Sequence, residues 1–277
     1  MKLQDLREFY WSLHRAYRLR GTFGLVERCY GKLPPRLRAY IDYTFFSDVL
    51  LNYWGGPLNG QAHRQLMVRE IIAATAPALI VETGTFRGGT TSYLAGLSSS
   101  PIKTIETDRH FFLFARHVLE PKKNVEVTQL DSVAFLNDMV RKGEATAEPT
   151  LFYLDAHWYE YLPLRDELII VFDNFPQAVV LIDDFEVPLD PGYRFDDYGE
   201  GKALNLGYLA PLKKYDFSIF FPSISSDRET GFKRGSVVLA RGDRVVGTLH
   251  TLSSIRFHGK AGQVLIDDRM ESSPATP

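Results

Sequence analysis

The stretch Leu79-Ile-Val-Glu-Thr-Gly-Thr-Phe-Arg-Gly-Gly-Thr-Thr91 decides the fold. A short apolar run, Ala78 to Val81, ends in an acid, Glu82. A turn with Gly84, Gly88 and Gly89 follows, and Thr90 and Thr91 open a helix. An α/β protein uses this arrangement to bring backbone close to a nucleotide-like ligand, because glycine takes the tight turn and leaves room for ligand atoms. The spacing is not G-x-G-x-x-G, and the Lys of a phosphate loop is missing.

Outward from this turn the chain alternates strand and helix. Upstream, a helix carrying Leu66, Ile71 and Ile72 runs to Pro77, which ends it. Downstream, predicted strands at 102–106, 125–128, 150–154 and 178–182 alternate with helices around 90–97, around the Phe-rich Phe111, Phe112 and Phe114, and around 133–140 and 164–172. Strands separated by helix-length segments imply right-handed crossovers and a parallel sheet covered on both faces. After Asp184 the rhythm breaks into a loop rich in Pro and Gly, then a short helix near Leu204–Leu209. Two more strands, 217–221 and 236–240, close the sheet. The expected architecture is therefore α/β and Rossmann-like: a mostly parallel seven-stranded sheet with helices on both faces, spanning 61–241. Residues 242–277 read as a C-terminal extension whose Ser/Pro-rich end is disordered.

Residues 1–60 read as an N-terminal helical extension, a lid or an oligomerisation segment. Leu3, Leu6, Tyr10, Leu13 and Tyr17 recur by threes and fours, which places them on one helical stripe. Basic residues outnumber acids over the first forty positions. The stripe suits packing on the main domain or on a second copy, and also an amphipathic surface helix, and its pattern does not separate these. Trp54-Gly-Gly-Pro-Leu-Asn-Gly60 reads as a loop.

Over the 277 residues, 45% apolar and 24% charged residues suit a globular core, and a net charge of −2 argues against general nucleic-acid binding. The lone cysteine, Cys29, excludes an internal disulfide. No signal peptide and no apolar run of about 18 residues is visible, so a cytoplasmic protein without a transmembrane segment is expected.

In an open parallel sheet, ligands bind beyond the carboxyl ends of the strands, and here those ends are acidic. Strand one ends at Glu82 and strand two at Glu106. Asp131-Ser132 follows strand three, Asp155-Ala-His157 follows strand four, and Asp183-Asp184 ends strand five. A single Asp in such a place caps a helix more often than it binds a ligand. Three carboxylates on adjacent strands are different, because unpaired they repel and raise each other's pKa unless a cation sits between them. Asp155, Asp183 and Asp184 are therefore candidate ligands for Mg²⁺, a hard ion that takes carboxylates, waters and substrate oxygens.

The pattern Glu82-x-Gly84-x-x-x-Gly88 resembles the first motif of class I S-adenosylmethionine (SAM) methyltransferases. Tyr153-Leu-Asp-Ala-His-Trp-Tyr-Glu-Tyr-Leu-Pro163 resembles a metal loop of the catechol O-methyltransferase family, and Val180-Leu-Ile-Asp-Asp184 resembles its second. The paired Asp is closer to macrolide-sugar O-methyltransferases of the macrocin type and to the related cephalosporin hydroxylase. The resemblance covers roughly 60–240 and implies methyl transfer from SAM to a hydroxyl oxygen, with Mg²⁺ as Lewis acid.

On that reading Glu106 holds the ribose, Asp131 and Ser132 lie near the adenine, and Glu82, Gly84, Thr85, Phe86, Gly88, Gly89, Thr90 and Asp155 surround the rest of the cofactor. His157 is the candidate general base beside Asp155, with Lys202 as a weaker one; the catechol family places a Lys in this loop, where Trp158 or Tyr159 stands here. The loop 187–203, with Tyr193, Arg194, Asp196, Asp197 and Tyr198, is expected to cover a small-molecule acceptor, sugar-like or phenolic, free or carrier-bound. The alternatives are a metal-dependent oxygenase on the same scaffold and a non-catalytic SAM-binding module. An iron oxygenase needs two His and one carboxylate, whereas one His stands here among three Asp.

Overall fold

The computed structural model describes residues 30–157 and 162–265. The N-terminal stripe at 3–17, Cys29, Trp158, Tyr159 and the end after Met270 lie outside the described residues. Five strands, β1 (Leu79–Thr83), β2 (Ile102–Ile105), β3 (Val125–Thr128), β4 (Thr150–Leu154) and β5 (Ala178–Asp183), pair in parallel. Three more, β6 (Ser218–Pro222), β7 (Ser236–Ala240) and β8 (Ile255–Lys260), pair antiparallel, and the order is β3-β2-β1-β4-β5-β7-β6-β8. With β7 inserted between β5 and β6, the sheet is the mostly parallel, Rossmann-like α/β architecture anticipated from the sequence.

The sheet has eight strands rather than seven. The extra strand, β8, joins the edge beside β6 and lies in the segment read as an extension beyond the domain. Its sequence Ile-Arg-Phe-His-Gly-Lys does not alternate cleanly, and the β6–β8 register shifts between Ile219 and Phe220. A bulge of this kind breaks the period-two signal on which strand recognition rests.

The central strands are buried on both faces, as helical crossovers on each side require. Along β4, Phe152 and Leu154 enter one core with Leu168 and Phe172, while Leu151 and Tyr153 enter the other with Met67 and Ile71. Burying each large apolar side chain contributes roughly 1.5–3 kcal/mol, so the sheet is held from both sides and its strand ends are free to carry charge. Helix α1 (Pro35–Leu51) starts on a proline, whose fixed φ suits the first turn. Helix α2 (Ala62–Thr75) lays Met67, Val68, Ile71 and Ile72 on the sheet and stops at Ala76, in the left-handed region at φ 42, before Pro77. The N-terminus of α2 is capped by a distant group: Glu229 accepts from the amides of His63 and Arg64 at 3.1 and 3.2 Å. No helix among the described residues is long and apolar enough to cross a membrane.

Candidate functional site

The carboxyl ends of β1, β2, β4 and β5 open into one continuous cavity of about 770 Å³, roofed by residues 53–59. That volume lies within the range of small-molecule sites, about 300–1,000 Å³.

One end of the cavity is formed by the glycine turn and β2. Gly84 (φ +86) meets the loop after β4 so closely that a Cβ there would lie 2.5 Å from the Asp155 carbonyl oxygen. Glycine is therefore required for the two loops to touch. The Glu106 carboxylate accepts from the amides of Phe86 and Asp108 at 2.7 and 2.8 Å, which fixes its orientation toward the cavity. Burial raises its pKa against those hydrogen bonds. The ring of Phe86 (φ 48) stacks with Trp54 at 6.0 Å and meets Phe111 at 4.5 Å. Asp131 and Ser132 also line this end, and Asp131 caps helix α3 (Ser132–Arg141) by accepting from Ala134 N at 3.0 Å. Asp131 thus caps the helix and lines the cavity at once.

Thr85, Phe86, Gly89 and Thr90 line the cavity, but Glu82 and Gly88 do not. Glu82 is buried beneath the turn, where the hydroxyls of Thr91 and Thr104 donate to its carboxylate. Burial raises its pKa to about 7. It braces the turn rather than facing a ligand. At Gly88, a side chain would press on Leu119 at 3.1 Å; its glycine serves the left-handed φ of +78 and the packing behind the turn.

The roof is tied down from several directions. Trp54, Leu58 and Asn59 all adopt left-handed φ near +55 to +60. Leu58 is buried and its amide donates to the Thr90 hydroxyl at 3.3 Å, while the amide of Phe232 donates to the Asn59 carbonyl at 3.1 Å. Non-glycine residues in this region cost on the order of 1–3 kcal/mol each and persist only where surroundings over-determine them.

The other end holds the acids. Ligand atoms of Asp155, His157 and Asp184 all lie within 4.8 Å of one another. Asp183, expected among them, is placed differently. It is buried and paired with the equally buried Arg64, whose other nitrogen donates to the carbonyls of Arg234 and Gly235. Burial would push the Asp183 carboxyl up, but Arg64 and the surrounding donors outweigh it and hold the pKa below the usual range. Asp184 (φ 53) receives a hydrogen bond from Arg234 Nε, and the same guanidinium reaches Asp196. Burial and the charge of Asp183 raise Asp184 to about 7. Partial loss of water within the cavity, with the charges of Asp183 and Asp184, raises Asp155 above the usual range although its side chain is part-exposed.

His157 is almost wholly buried, and its Nε2 has no hydrogen-bond partner, with Asp155 and Asp196 oxygens each 4.0 Å away. Burial lowers its pKa, so the ring is neutral at neutral pH with an unused nitrogen. An unpartnered buried nitrogen beside carboxylates that raise each other's pKa is a donor set that suits a divalent cation.

Of the acceptor-loop candidates, Arg194, Asp196 and Tyr198 line the cavity, while Tyr193, Asp197 and Lys202 do not. Tyr193 is buried, with its hydroxyl 3.4 Å from the Ile224 carbonyl. Arg64, Arg234 and Asn59 carry roles that residue-by-residue sequence reading does not reveal. Beside them, Gln61 exchanges hydrogen bonds with the backbone of Arg234 in both directions, at 3.0 and 2.8 Å.

No protein-family model matches the chain, and no curated protein matches it in sequence. Among solved structures, it is similar to TomG of Streptomyces achromogenes, an O-methyltransferase involved in tomaymycin synthesis and solved with SAM. The identity is 20% over 65% of this chain and 81% of that one, with a TM-score of 0.49. It is also similar to an O-methyltransferase of Bacillus cereus in complex with SAH, at 19% identity over 73% and 95% of the two chains, TM-score 0.47. The N-terminal domain of EvdMO1, solved with SAH and D-fucose, is 14% identical over 68% and 85%, TM-score 0.43.

Proposed function

We propose that the chain is a SAM-dependent O-methyltransferase that methylates a hydroxyl of a small polyhydroxylated or phenolic acceptor, aided by a divalent cation at the acid cluster. The observation that carries this reading is the single cavity in which the glycine turn and Glu106 occupy one end and Asp155, His157 and Asp184 the other. Bound SAM supplies an electrophilic methyl on a sulfonium, and a dication supplies Lewis-acid stabilisation of the acceptor oxygen's anion; Mg²⁺ is the ion the sequence resemblance implies.

The chain's own residues position the reactants. Glu106, held by two amides, has acceptor capacity left for ribose hydroxyls. Gly84 lets the cofactor-side turn close against the backbone of Asp155, so the two halves of the cavity meet at one seam. The roof of Trp54, Leu58 and Asn59 limits water at that seam, where alignment of oxygen and methyl is the main requirement. Asp196, Tyr198, Arg194 and the exposed ring of Phe232 offer hydrogen bonds and an apolar wall to an acceptor with several hydroxyls. The neutral His157 ring has a lone pair available to take the hydroxyl proton or to bind the cation. The oxygenase alternative is less well supported, because His157 is the one histidine among the described cavity-lining residues.

Calorimetric titration of SAM into wild type and Glu106→Ala tests this reading. The variant is expected to bind about 10–100-fold more weakly, the effect of losing hydrogen bonds to a charged acceptor. A wild type that takes up no SAM overturns it.

A further inference from the structure

A carboxylate has about four positions at which to accept hydrogen bonds or bind a cation. On Asp183 all four are taken. Oδ1 accepts from Arg64 and from the Asp184 amide at 2.8 Å, and Oδ2 accepts from the Tyr153 hydroxyl at 2.5 Å and Asn59 Nδ2 at 3.3 Å. Its side chain is only 3% exposed, whereas that of Asp155 is 37% exposed. To bind a metal, Asp183 would have to drop one of these partners in the interior and leave it unsatisfied.

His157 is in the opposite position. Its Nε2 is buried, has no partner, and falls within the cluster formed with Asp155 and Asp184. A buried polar nitrogen without a partner calls for an explanation, and a cation shared with the two carboxylates provides one. Asp184 keeps one oxygen on Arg234 Nε, which fixes its direction as outer hydrogen bonds fix metal ligands.

We infer that the cation of the proposed transferase is held by Asp155, His157 and Asp184, with Asp183 acting as a positioning residue, and that the site selects Mn²⁺-like transition dications over Mg²⁺. This rests on the reading of the acid cluster as a cation site. An imidazole ligand draws the preference toward first-row transition metals, because Mg²⁺ favours an all-oxygen set and gains little from nitrogen. Asp183 acts through others: it anchors Arg64 and Asn59 and receives the Asp184 amide, and so sets the direction of the Asp184 carboxylate.

The test uses the metal-stripped full chain and Mn²⁺ and Mg²⁺ alone, with bound Mn²⁺ followed by electron paramagnetic resonance. Wild type should bind Mn²⁺ at least about tenfold more tightly than Mg²⁺, and the bound ion should show magnetic coupling to a directly coordinated ¹⁴N. His157→Ala should abolish the nitrogen coupling and lower Mn²⁺ affinity by about 100-fold while Mg²⁺ affinity changes little. Asp183→Asn should retain the nitrogen coupling and most of the Mn²⁺ affinity. Bound Mn²⁺ without nitrogen coupling, no Mn²⁺ binding, or a loss in Asp183→Asn that His157→Ala does not share would each overturn the assignment. Should Asp183→Asn fail to fold, the nitrogen signal in wild type decides alone. SAM titration of the same sample separates the outcomes: SAM binding without nitrogen coupling removes this ligand set and leaves the transferase reading standing.

Discussion

At the β1–β2 end of the cavity, polar groups are fixed by neighbours in the chain. Glu106 is held by amides 20 and 2 residues away, and Asp131 by an amide 3 residues on. At the β4–β5 end they are fixed from afar: Asp183 by Arg64, 119 residues earlier, and Asp184 by Arg234, 50 residues later. The first end uses neutral donors on backbone, so its shape follows from local turn geometry. The second places carboxylates side by side and depends on guanidinium groups delivered by other elements. A local design tolerates change in the rest of the fold; a non-local one transmits it.

The largest expected effect breaks the second end. Arg64→Met leaves Asp183 buried without its cation and strips the Arg234 and Gly235 carbonyls of a donor, which should cost about 3–5 kcal/mol. Urea unfolding measures the loss, and a change below about 1 kcal/mol would show that Asp183 does not depend on Arg64. SAM affinity of the folded variant should move less than about threefold, since the Glu106 carboxylate is held by backbone amides that do not involve Arg64.

Gly84→Ala should erase the distinction between the ends, because the seam belongs to both. The added Cβ meets the Asp155 carbonyl at 2.5 Å in a residue already at φ +86, and overpacking with backbone strain together cost about 2–4 kcal/mol. Both SAM and Mn²⁺ titrations should weaken; a variant that lost only one would separate the ends after all.

A smaller and pH-dependent effect is expected at the β1–β2 end. Burial raises Glu82 from 4.5 to about 7 in the folded chain, so the native state holds a proton that the unfolded state releases. The stability this contributes is present in full below pH 4.5 and is lost as pH rises toward 7, at no more than about 1.4 kcal/mol per pH unit. Glu82→Gln should therefore show a shallower fall in unfolding free energy across that window. An unchanged slope would mean that Glu82 is ionised when folded.

The same division explains how much was legible in the sequence. The five parallel strands fall within one or two residues of their expected places, because apolar runs between glycine, proline and acids carry their own punctuation. The Asp155–His157 and Asp183–Asp184 pairs could be placed because a strand end is a position in the chain. Which of those acids stays free was not legible, since Arg64 and Asn59 reach Asp183 through tertiary folding alone. Strand β8 was hidden by its bulge and its charged, glycine-containing sequence. Glu82 looked like a cofactor ligand because spacing gives proximity to the turn but not the side of the sheet on which a carboxylate settles.

The long reach of Arg64 also sets a schedule for the growing chain. Its carbonyl partners, on Arg234 and Gly235, lie 170 and 171 residues later. At about 5–20 residues per second, the ribosome takes roughly 10–30 s to deliver them after residue 64 has been made. During that interval β1 to β3 have all emerged, and the glycine turn has its own residues in place, while Arg64 and then Asp183 wait for the rest of their shell. The β4–β5 end is therefore completed well after the glycine turn as the chain is made, with the edge strand β8 still to follow.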